Sequence, residues 1–173
     1  MNDWIMLTVV GADRPGIVAA LTERLFEAGA HLGEASMMRL GSSFTIMLMV
    51  KSEAPPGTLA GLLEPLARDM NLRIHVDPVE GGLHRHLEPD VRITVHGADR
   101  VGIVARVTGT LAEAGLNILD LESDVGGSVA HPIYIMVIEG QARHGIRALE
   151  QVVEPLRREG IEVVVHAVDT LIG

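Results

Sequence analysis

The chain contains no cysteine, and its aromatic residues are one Trp, one Tyr and two Phe. Without cysteine there can be no disulfide, no zinc-thiolate site and no thiol nucleophile. So few aromatic rings leave little surface on which bases could stack. Basic residues are also scarce: 14 Lys and Arg stand against 23 Asp and Glu, a net charge of -9, with no Lys/Arg cluster. Binding to a duplex depends on neutralising phosphates, so direct nucleic-acid binding is not expected. No apolar run approaches the roughly 18 residues of a membrane span, and no basic segment precedes the first apolar run after Met1-Asn2-Asp3-Trp4. The expectation is a cytoplasmic protein with no membrane contact. A nucleophile with a base and an orienting group, a phosphate-binding glycine loop and a metal cluster are all missing, so no catalytic residue, cofactor or metal is expected.

The sequence does contain a repeat. Gly11-Ala12-Asp13-Arg14-Pro15-Gly16-Ile17-Val18 returns as Gly97-Ala98-Asp99-Arg100-Val101-Gly102-Ile103-Val104. The likeness runs on through Thr22 and Thr108, Leu25 and Leu111, and Glu27-Ala28-Gly29 and Glu113-Ala114-Gly115. A tandem repeat of roughly 85 residues per half divides the chain into a domain at 1–80, a linker at 81–89 and a domain at 90–173. Halves this small bury a modest share of their surface, and 47% hydrophobic residues with mean hydropathy +0.29 is apolar for a globular chain. Packing of the halves together and a homo-oligomer are therefore expected.

Each half reads as strand, helix, strand, strand, helix, strand. Ile5, Leu7 and Val9 alternate along a first strand, as do Val91, Ile93 and Val95. Ile17, Val18, Leu21 and Leu25 follow helical spacing, as do Ile103, Val104, Val107 and Leu111, with Gly29 and Gly115 placed to end those helices. Second strands are expected at 31–40 and 117–125, followed by a turn at Gly41-Ser42-Ser43 and a longer loop at Gly126-Gly127-Ser128. Third strands at 44–50 and 133–138 are apolar on both faces, which marks central strands or a sheet covered on both sides. Second helices carry Leu59, Leu62, Leu63 and Leu66, or Ile146, Leu149, Val152, Val153 and Leu156, before closing strands at 72–79 and 161–168. Two split right-handed crossovers then give an α+β fold of two tandem ferredoxin-like βαββαβ domains, antiparallel sheets with both helices on one face.

The repeated loop holds the candidate site. Asp13 and Asp99 are placed as N-caps, Pro15 suits a first helical turn, and Gly16 and Gly102 would let another group approach the backbone. On one reading the loop only caps a helix; on the other, free N–H groups at the positive helix end receive a small carboxylate. Other polar features are weaker. Asp120, Glu122 and Asp124 alternate on one strand face, read as solvated rather than as a cation site. His84 and His86 lie in the linker without a third ligand. Met37, Met38, Met47 and Met49 are read as core or interface filling.

The loop, the helix ending in Glu-Ala-Gly, and Gly115-Leu116-Asn117-Ile118 opening the next strand resemble the ACT domain, a regulatory module, over nearly the whole chain and twice. The resemblance implies an amino acid held at an interface between modules by the loop and by a polar residue opening the second strand. Carried over, the ligand-binding positions are Asp13, Arg14, Pro15, Gly16, Ile17 and His31 in the first half. In the second half they are Asp99, Arg100, Val101, Gly102, Ile103 and Asn117. His31 stands where the family has the asparagine present as Asn117, and Val101 replaces a proline. Asn117 offers both a donor and an acceptor, which suits a zwitterion.

Within the family the chain is similar to tandem regulators of the glycine cleavage system. This implies a small amino acid, glycine among the candidates, as effector and a DNA-binding transcription activator as protein partner. The alternative is a detached regulatory subunit that binds and inhibits an amino-acid biosynthetic enzyme.

Overall fold

The computed structural model describes residues 4–79, 87–98 and 101–168. The chain divides into two compact units, Met1–His84 and Arg85–Gly173. The linker histidines His84 and His86 lie outside the described residues.

The first unit runs β1 Trp4–Ala12, α1 Ile17–Glu27, β2 His31–Leu40, β3 Ser43–Lys51, α2 Pro56–Asp69 and β4 Leu72–Pro78. Its strands form one antiparallel sheet in the order β2-β3-β1-β4. The second unit runs β5 Val91–Ala98, α3 Ile103–Glu113, β6 Leu116–Ser128, β7 His131–Ala142, α4 Ile146–Arg158 and β8 Glu162–Ala167, with the order β6-β7-β5-β8. Both are the βαββαβ arrangement read from the sequence, and the third strand of each half is interior as its apolar character requires.

Alternation builds the cores. Ile5, Leu7 and Val9 turn one way along β1, and their cross-strand partners Val50, Leu48 and Ile46 on β3 are buried with them. Against this face α1 lays Ile17, Leu21 and Leu25, and α2 lays Leu59, Leu63 and Leu66. Burying such side chains contributes roughly 1.5–3 kcal/mol each. The second unit repeats the pattern with Val91, Ile93 and Val95 under Ile103, Val107 and Leu111 and under Leu149, Val153 and Leu156. Both first helices stop at the expected glycines. Gly29 donates to the Phe26 carbonyl and Ala30 to that of Leu25, closing the last turn, and Gly115 donates to Ala112.

The structure corrects two details of the sequence reading. Leu62 belongs to the expected apolar stripe of α2 but faces solvent, because a helix packed on one sheet buries only the positions nearest it. Gly126-Gly127-Ser128, expected as a loop, is the end of β6, paired with Ile133, Pro132 and His131. A Cβ at Gly127 would meet the His131 carbonyl at 2.5 Å, so glycine there lets the two strands close rather than breaking them.

Each second strand carries one extra residue near its start. Between Leu32 and Ala35 the chain spends three steps while β3 spends two, and between Ile118 and Asp120 it spends two while β7 spends one. These are β-bulges, which bend an edge strand and reset which side its residues face.

The faces turned away from the helices differ in character. On the first sheet, Thr8, Val10, Ser36, Met38, Leu40, Thr45, Met47, Lys51, Arg73 and His75 share the open side, as their register partners require. Trp4 lies over Gly33 and Met49 at one corner, so Met49 is buried, whereas Met37, Met38 and Met47 stay exposed. On the second sheet the open side carries Ile133, Ile135 and Val137 between Asp120, Glu122 and Asp124 on one edge and Glu162, Val164 and His166 on the other. The three alternating acids do share one solvated strand face, and among the described residues no group of His, Asp or Glu is arranged to hold a metal.

Candidate functional site

The repeated loop is built from the end of β1 outward. Gly11 and Ala12 are still strand, paired with Phe44 and Ser43. Asp13 then donates its backbone N–H to the Ser42 carbonyl at 2.8 Å. Its carboxylate pairs with Arg39 at 2.6 Å rather than capping α1. The N-cap of α1 is Gly16, and no side chain caps the helix. The Asp13 expectation is thus overturned by geometry: three residues separate Asp13 from the first helical residue, and the β2–β3 hairpin offers it a nearer cation. Asp99 and Arg100, for which the same roles were expected, lie outside the described residues.

Pro15 is likewise not in the first helical turn but one residue before the N-cap. Gly16 has φ 91° and ψ -7°, the values of the third residue of a type II turn, and Pro15 occupies the second position that such turns favour. Gly102 repeats this with φ 89° and ψ -2°, after a fully exposed Val101. A Cβ at either glycine would meet nothing within 4 Å, so the requirement for glycine is conformational rather than steric. Ile17 and Ile103 follow at once and are buried, which anchors the turn to the core. Arg14 reaches across to the Asp69 carbonyl at 3.2 Å, closing the C-terminal end of α2.

The starts of α1 and α3 carry no acid in the first turn and no capping side chain. Uncapped starts also occur at α2 and α4, so the open N–H groups alone do not mark these two. What marks them is the left-handed glycine at the N-cap, which among the helices of the described residues α1 and α3 have and α2 and α4 lack. A carboxylate there would meet backbone N–H groups and the positive end of the helix dipole. Beside the first loop a cleft of about 410 Å³ opens, lined by Ala12, Ser42, Ser43 and Arg73 among others.

The polar residues opening the second strands sit elsewhere. His31 is exposed and pairs with Lys51, which in turn pairs with Trp4 at the start of β1. The loop, by contrast, leaves from Ala12 at the other end of that strand. Asn117 is half-buried, pairs with Gln141 and lies at the Val91 end of its sheet, away from Gly102 and Ile103. An eleven-residue helix separates loop from strand start in each half, about 16 Å of rise. Neither unit therefore brings its own loop and its own strand-start residue together. Arg39, which holds the loop, was not singled out in the sequence, and Ser42 was read only as part of a turn; the signal available was that a short β2–β3 hairpin must turn beside the end of β1.

Models of the ACT domain match residues 3–77 and 91–158. Among curated proteins, the glycine cleavage system transcriptional repressor of Escherichia coli (strain K12) is 26% identical over 121 residues, covering 69% of this chain and 64% of that protein. The chain thus spans a little under two thirds of that relative's length. Among solved structures, an unknown protein from Galdieria sulphuraria superposes with a TM-score of 0.77 at 22% identity, covering 97% of this chain and 99% of that one. Another, provisionally assigned as a glycine cleavage system transcriptional repressor, has a TM-score of 0.71 at 16% identity and covers 98% and 99%. At such identities these two structures show the shared fold alone.

Proposed function

Since the chain belongs to the ACT-domain family, with one such domain in each half, we propose that it is a non-catalytic, amino-acid-responsive regulator. Its process is transcription of the glycine cleavage system, and it acts through contact with a DNA-binding activator rather than with DNA. The kinship with the Escherichia coli repressor supports the process. The net charge of -9 supports the indirect route, since an acidic chain repels phosphates.

The observation that carries the ligand-binding part is the left-handed glycine turn before an uncapped helix, kept twice. The ligand is a small amino acid, glycine first among the candidates. Its carboxylate is received by the N–H groups after Gly16 or Gly102. Asn117 or His31 meets the remaining polar groups, and because each unit holds loop and strand start at opposite ends, that residue comes from a second ACT module. Asp13 and Arg39 keep the loop in place, Arg14 ties it to α2, and Pro15 or Val101 sets the turn.

A thermal-shift screen of the proteinogenic amino acids tests this, because a ligand bound only by the folded state raises the melting temperature. Glycine or another small amino acid is expected to give the shift, and a flat response to all of them would sink the sensing role. Affinity capture from cell extract tests the partner: a transcription activator is expected, and recovery of a biosynthetic enzyme in its place would overturn the transcriptional part.

A further inference from the structure

We infer that the open face of the first sheet docks on the open face of the second sheet of another copy of this chain. The two faces match in carrying exposed apolar side chains on an interior and an edge strand. On the first, Met38, Leu40 and Met47 are 59%, 77% and 46% exposed. On the second, Ile133, Ile135 and Val164 are all more than a third exposed. Side chains of this kind on interior or adjacent strands form a stripe that water covers poorly, and methionine adapts its shape to what it meets.

Charge selects which face meets which. The first face carries Lys51 and Arg73 against the single acid Asp77, and among the described residues no ion pair joins either cation. The second face carries Asp120, Glu122, Asp124 and Glu162 with no ion pair among the described residues, while Arg92 and Glu139 neutralise each other at 2.8 Å. Pairing the second face with itself would oppose four unneutralised acids with four more. Pairing the first face with the second sets its cations against those acids, which favours that register and speeds encounter.

Sheets packed face to face lie about 10 Å apart, and a face of four short strands spans on the order of 500 Å². The contact then buries about 1,000 Å² in total, the lower limit for a specific interface, so the association is weak and depends on concentration. This inference does not depend on the ligand reading, since none of these residues lies in the repeated loop.

Sedimentation of the full chain from roughly 1 to 100 μM tests it. The mass is expected to rise above 18.5 kDa with concentration. A variant with Lys51→Glu and Arg73→Glu, and a second with Glu122→Lys and Asp124→Lys, should each stay at the single-chain mass where the native chain associates. Mixed together, the two variants should associate again, because each still offers the face that the other's intact face requires. Circular dichroism checks that both are folded, as solvent-facing substitutions on a sheet surface should be. A native chain that remains single throughout would overturn the inference. So would undiminished association of the Glu122→Lys, Asp124→Lys variant, which would mean that the first face pairs with itself, or a mixture that stays at the single-chain mass.

Discussion

The two halves agree in backbone and disagree in surface. Gly16 and Gly102 match within a few degrees of φ and ψ, and buried Leu25 and Leu111 occupy the same place in α1 and α3. Yet Arg73, which pairs with Val10 on the first sheet, has Glu162 as its counterpart, paired with His96 on the second. His31 likewise corresponds in the repeat to Asn117, and Pro15 to Val101. The repeat has therefore held on to what the backbone cannot do otherwise, a left-handed turn into a buried helix. Among the positions that differ, Arg73 and Glu162 carry opposite charge, so the same place on the two sheets presents a cation in one half and an acid in the other.

The largest test of this comparison is in the cores. Leu25→Ala and Leu111→Ala each delete a fully buried side chain and should cost about 3 kcal/mol in the half that carries the change, within the range for such truncations. Hydrogen exchange resolved by residue reads each half separately. Similar losses support equivalent cores, and a loss under 1 kcal/mol in one half would break the equivalence. Gly16→Val and Gly102→Val come next. Both force a β-branched residue to φ near 90°, at a cost of about 2 kcal/mol, or on the order of 10 °C in Tm for units of this size. If Gly102→Val were neutral in thermal unfolding while Gly16→Val was not, the shared backbone task would be refuted.

Smaller effects probe the surfaces. Asn117→Ala should weaken amino-acid binding about tenfold in titration calorimetry, the loss of one or two hydrogen bonds. His31→Ala should weaken it less, since a neutral imidazole offers one donor and one acceptor where the amide offers more. Equal affinity for the native chain and both variants would place the ligand elsewhere. The smallest effect is at Asp13 and Arg39, an ion pair with Arg39 60% exposed, where a double-mutant cycle should return under about 1 kcal/mol. A coupling well above that would show that the pair holds the loop more firmly than a surface contact can.

The order and type of the elements among the described residues were legible because apolar positions recur every second residue in the first strands and every third or fourth in the helices, the third strands are continuous apolar runs, and the halves repeat one another. The start of α1 was not. An aspartate followed three residues later by glycine and two β-branched residues looks the same whether the aspartate caps the helix or a type II turn intervenes, and only the hairpin carrying Arg39 decides between them. Gly127 misled for a related reason, since glycine marks turns and close strand approach alike. The separation of Asn117 from Gly102 was legible in principle: fifteen positions along the chain include a whole helix, and that length is distance in space. The identity of a second module that would close the gap has no signal in one chain's spacing.

The bulges have a consequence for how the chain tolerates changes of length. Before the bulge in β6, Leu116 and Ile118 lie by register on the helix side of the sheet; after it, Leu121, Ser123 and Val125 do, so the positions on that side switch from even to odd numbers, with only Leu116 among them buried. Removing Leu119 alone would leave every other residue of that strand on its present side, and removing Glu34 would do the same in β2, where Gly33 is held by the Trp4 ring. Deleting any single residue further along either strand would instead turn the segment between the bulge and the gap inside out. A single-residue deletion scan read by soluble yield should therefore find one permissive spot per half, at the position where each second strand already carries one residue more than its neighbour needs.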